Sequence, residues 1–147
     1  IRDVIRPALE EGAQAAGRAV PRIVAIVPVA FASDDRDLAD LVIASSGAHL
    51  NAPHYRDMLR RAGVDLPSGD PRTTAKATAG GGAFLYGAPD EVLERVCEFL
   101  EVGVDEVVLN VTGVRNLISS AAAEQELEQL LQITEPLVSS GRSGRTT

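Results

Sequence analysis

Few side chains in this sequence combine a type and a position suited to chemistry. Asn110 is a polar residue inside the apolar run Glu106-Val-Val-Leu-Asn-Val111. Its amide can hydrogen-bond a ligand or satisfy a neighbouring backbone group. His54 carries an imidazole that can exchange protons near neutral pH. With no second polar partner in its motif, it also reads as an ordinary surface histidine. Tyr55 follows on an apolar helical stripe, where a ring is more often core than ligand wall. Arg56, Arg60 and Arg61 offer cations to an acidic ligand or simply form a solvated face.

Other patterns have structural explanations. Gly80-Gly-Gly-Ala-Phe-Leu-Tyr-Gly87 lacks the Lys-Ser/Thr of a phosphate loop and the strand that should precede it, so loop flexibility is the better reading. Asp34, Asp35 and Asp37 are expected to cap a helix rather than hold a metal. His49 and His54 are separated by Pro53 at a spacing poorly suited to zinc. Cys97 falls on a buried helical stripe. A Ser-His-Asp triad has no nucleophile elbow to build on.

Composition narrows the classes. The chain has 147 residues, 45% of them hydrophobic, and one cysteine. That is globular, long enough for a core, and without a disulfide framework. A net charge of −7 and an aromatic content of 3% argue against nucleic-acid or anionic-membrane binding. The longest apolar run, residues 23–32, is too short to span a membrane, and the start has no secretory pattern. A reducing, cytoplasmic setting is therefore expected.

The elements that must position these residues follow from periodicity. Residues 1–16 read as an amphipathic helix whose pattern is already running at Ile1, as if the start lay inside a longer element. Pro7 should kink it or lie in its first turn. Residues 22–31 form the clearest strand, apolar on both parities as in a parallel sheet covered on both faces, with Pro28 marking its C-terminal end. A helix with Leu38, Leu41, Val42 and Ser45 on its buried stripe follows. A short one opens at Pro53 and closes at Gly63. Residues 64–83 are rich in Gly, Pro, Ser, Thr and Ala and read as a long mobile loop. A strong helix after Pro89 leads to a second strand, 106–111. Residues 112–116 read as a turn and 117–135 as a helix that Pro136 ends. Residues 139–147 read as a disordered tail, leaving 1–138 as the folded unit.

This α/β order contains only two strong strands, too few for a sheet buried on both faces. The missing strands must come from another chain or from a preceding segment.

Tyr86-Gly-Ala-Pro-Asp-Glu-Val-Leu-Glu-Arg-Val, followed by Glu101-Val-Gly-Val-Asp-Glu-Val-Val-Leu109, resembles the C-terminal signature of luciferase-like monooxygenases. Residues 1–9, 15–18, 21–29 and 53–63 resemble the deazaflavin-dependent branch of that family. The likeness spans about Ile1 to Pro136. It implies the C-terminal part of a TIM (β/α)8 barrel, with residues 22–31 as the seventh strand, 106–111 as the eighth, and an inserted helical and loop segment between them. It further implies a cofactor, either coenzyme F-420 (a deazaflavin) or FMN. The six earlier strands would supply the cofactor's phosphate contacts and the catalytic acid or base, so no catalytic residue is assigned to this chain.

Active sites of such barrels lie at the C-terminal strand ends. Under this resemblance Asn110, Tyr55 and His54 are the expected substrate-binding positions, with a small organic substrate. The function implied is part of a flavin- or deazaflavin-dependent oxidoreductase or monooxygenase. The alternative is a truncated, non-catalytic relative that self-associates through open sheet edges as a structural or small-ligand-binding oligomer.

Overall fold

The computed structural model describes residues 1–67 and 69–143. Among them, seven helices surround a three-stranded parallel sheet: α1 (Ile5–Ala15), β1 (Val24–Phe31), α2 (Leu38–Leu50), α3 (Pro53–Arg61), α4 (Pro71–Gly80), β2 (Leu85–Gly87), α5 (Pro89–Glu101), β3 (Glu106–Asn110), α6 (Thr112–Leu117) and α7 (Ser120–Ser143). The chain is thus of mixed α/β class. None of the described helices is long and apolar enough to cross a membrane.

The sheet order is β2-β1-β3. Val24 to Pro28 pair with Glu106 to Asn110, and Val29 to Phe31 pair with Leu85 to Gly87 on the opposite edge. Two expectations change here. A third strand exists, although three residues were too few to register as a periodic run. Pro28 does not end β1, which continues to Phe31. The proline's missing N–H falls where one neighbour hands over to the other, so it interrupts neither ladder at its centre.

Residues 64–83 were expected to be a loop, yet they contain α4. Asp70 accepts hydrogen bonds from the N–H groups of Arg72 (3.2 Å) and Thr73 (3.0 Å), and Pro71 occupies the first turn. Cap and proline start the helix, and Thr74, Ala75 and Thr78 bury its small-residue face. The composition that suggested a loop is that of a tightly packed helix. The expected turn at 112–116 is α6, and α7 runs through Pro136 to Ser143. Proline removes one helical bond, and Ile133 and Leu137 on either side keep the helix packed against the core. Of the expected disordered tail, residues 139–143 are therefore helical and residues 144–147 lie outside the described residues.

The motifs quoted above have local physical reasons. At Gly87 a Cβ would stand 2.6 Å from a carboxylate oxygen of Glu91. The absent side chain lets Glu91 fold back and accept the Ala88 N–H at 2.7 Å, capping α5. Gly103, with φ +95°, turns the chain out of α5. Asp105 then accepts the Ile23 N–H at 2.8 Å and pairs with Arg6 at 3.6 Å, while Glu106 meets Arg22 at 2.8 Å. These bonds pin the start of β3 to the start of β1.

Two apolar clusters result. Val27, Val29, Phe31 and Leu85 pack with Val92 and Val96 of α5 and Leu130 of α7. On the other face, Ala30 joins Leu41, Val42, Leu59, Ala75 and Val114 from α2, α3, α4 and α6. That second cover stops short. Ile26 is 69% exposed, Val24 51% and Val108 40%, all on one face of paired strands. The expectation that the first strand is buried on both faces therefore holds only at its C-terminal end.

Candidate functional site

A cavity of about 540 Å³ lies where α2, α3 and the segment before β2 meet the uncovered part of β1. Ile26 and Pro28 line it from the sheet, Ser45, Ser46 and His49 from α2, Tyr55 from α3, and Asn110 from the end of β3. Gly81 to Ala83 close its far side.

Each wall follows from the sequence around it. Asp37 caps α2 by accepting from Ala39 at 2.7 Å and Asp40 at 3.3 Å. Of the three acids expected to cap, only Asp37 does so. Asp35 instead accepts the Ser33 hydroxyl, which lowers its pKa against the opposing effect of desolvation, with its own backbone N–H and Arg36 adding to the lowering. With α2 so started, Leu41 and Val42 face the core and Ser45, Ser46 and His49 come round to the cavity. The Ser45 and Ser46 hydroxyls are 3.4 Å apart. Pro53 opens α3 and places Tyr55 beside His49, with ring centroids 5.6 Å apart and planes tilted by 35°. Gly82, at φ +78°, brings the segment after α4 back toward the sheet.

Asn110 satisfies a neighbouring backbone group, one of the two roles its type allows. Its carbonyl oxygen accepts from the Thr112 N–H at 2.9 Å and from the Thr112 hydroxyl, an Asx turn that starts α6. Asn110 is among the residues lining the cavity. Asn110 also borders a smaller cavity of about 270 Å³ with Ile26, Val108, Thr112 and Arg115.

The structure therefore brings Asn110 and Tyr55 to one cavity. His54 is exposed and does not line it. The histidine that does is His49, with Ser45 and Ser46, none of which sequence reasoning selected as ligand contacts. A signal existed: Ser45 closes the apolar stripe Leu38–Leu41–Val42, and His49 stands one helical turn further along.

A second buried polar arrangement lies at the end of β1. Glu126 of α7, 4% exposed, accepts the Phe31 N–H and pairs with Arg36, each at 2.5 Å. Arg36 is 16% exposed and its Nε has no hydrogen-bond partner. This pair ties α7 to the strand terminus and does not border the cavity. No family model, curated protein or solved structure matches the chain.

Proposed function

We propose that this chain supplies the last two strands and the pocket wall of a luciferase-like barrel, a flavin- or deazaflavin-dependent oxidoreductase whose other strands come from outside these residues. The observation that carries the reading is the half-covered sheet. One face packs on α5 and α7 through Val27, Val29 and Phe31, with an opening of about 910 Å³ beside Val107 and Leu109, whereas the face bearing Val24, Ile26 and Val108 is bare and apolar. In a barrel, that second face turns inward and is filled by side chains of other strands. Among the described residues, the outer edge of β3, and the edge of β1 over residues 24–27 that faces away from β3, also have no strand partner.

The cavity of about 540 Å³ suits a substrate or the ring of a cofactor better than a phosphorylated tail. Among the described residues no Asp, Glu, Lys or Arg lines it, and Arg115 is the only cation bordering either cavity. Coenzyme F-420 or FMN would carry the redox chemistry itself. The residues here would orient a bound molecule and exclude water, with Asn110 donating and Tyr55 and His49 forming a wall.

The free edge of β3 favours one competing reading, a non-catalytic homo-oligomer built by edge pairing. Native mass measurement with absorption spectroscopy separates the two. The enzyme reading expects the tagged chain to co-purify with a partner about twice its size, together with a yellow chromophore. A colourless assembly with a mass that is a whole multiple of this chain would overturn it.

A further inference from the structure

From the cavity's lining we infer that it binds an uncharged ring compound carrying a hydrogen-bonding substituent, such as an aromatic amide, aldehyde or alcohol. In a chain that is 24% charged, the lining residues include no Asp, Glu, Lys or Arg. Arg95, whose guanidinium comes 3.0 Å from where a Cβ on Gly82 would stand, pairs with Glu98 at 3.4 Å and is not among the lining residues. An ion entering would lose part of its hydration without gaining a counter-charge from the lining, which selects against charge. A neutral polar group does find partners. The NH₂ of Asn110 can donate to a carbonyl, and the paired hydroxyls of Ser45 and Ser46 can donate or accept. Ile26 and Pro28 supply an apolar floor and the tilted His49–Tyr55 pair an aromatic side, which together suit a flat ring. The volume of about 540 Å³ is in the range of small-molecule sites.

The inference deepens the barrel reading by naming a ligand class, but its test needs only this chain. Benzamide, benzoate and benzylammonium share a ring and differ in charge. Each would be titrated at about millimolar concentration, the range open to so small a ligand, into isotopically labelled protein followed by amide NMR. Benzamide should shift Ser46, Gly82 and Asn110, and the two ions should bind at least about tenfold more weakly. Ser46→Leu, which fills the cavity from α2, should weaken benzamide at least about fivefold with an unchanged unfolding midpoint. Benzoate binding as well as benzamide, shifts confined to residues elsewhere, or no binding by any probe would each overturn the inference. None of those results bears on whether a partner chain completes the sheet, so the two proposals fail separately.

Discussion

Glu126 depends on its partners more than any other side chain in the fold. It is buried with one backbone donor and one guanidinium, and Arg36 is nearly as enclosed. Glu126→Ala should destabilise the chain by about 3 kcal/mol, because the largely buried Arg36 keeps only the exposed Asp35, at 3.8 Å, as a counter-charge. Glu126→Gln, which can still accept the Phe31 N–H, should lose less; urea unfolding of both variants checks the order. Asp70 shows a milder version at the surface. The Thr73 hydroxyl, then the N–H groups of Thr73 and Arg72, hold its carboxyl below the usual 3.8. A lowered folded-state pKa means that the carboxylate's contribution is present above the unfolded value and lost as pH falls through the folded one. The unfolding midpoints of wild type and Asp70→Ala should therefore differ at neutral pH and converge in acid. A gap that stays constant down to about pH 2 would refute the assignment.

At the scale of elements, the close approach of α6 to α2 depends on one glycine. A Cβ on Gly113 would stand 2.7 Å from the Leu41 carbonyl oxygen and 3.3 Å from the Ser45 Cβ. Backbone cannot yield as a flexible side chain does, so Gly113→Ala should cost about 2 kcal/mol, measured by thermal or urea unfolding. The same variant should disturb the cavity, since Ser45 is both the residue struck and part of the lining. The cap that begins α6 and a polar residue of the cavity lining are likewise one residue, Asn110. Local folding and the cavity lining thus meet at the N-terminal end of this short helix.

At the scale of the molecule, the bare face of β1 and β3 governs association. Ile26→Lys and Val108→Lys introduce charge where the side chains are already exposed. Each should change the stability of the isolated chain by no more than about 0.5 kcal/mol. Each should nevertheless suppress whatever assembly the face supports, whether with strands from outside or with a second copy. Sedimentation velocity across a concentration series reads this directly; assembly unchanged in both variants would show that the face plays no part in it.

Much of this was legible in the residues themselves. The strand at 22–31, the helix starts at Pro53 and Pro89, and the strand at 106–111 follow from periodicity and capping chemistry, which act over a few neighbouring residues. Those same local rules mistook α4 for a loop, because a helix of Ala and Thr earns its place only by burying small side chains against α2. They placed Pro28 at a strand end, because the exchange of β3 for β2 is invisible along one strand. They selected His54 where the cavity holds His49, because a histidine's use depends on which face of a helix meets which strand. The sequence by itself determined the class, the principal elements and the singular position of Asn110. Only the tertiary structure decided which polar residues share a cavity and which apolar face stays bare, since those relations join residues far apart in the chain.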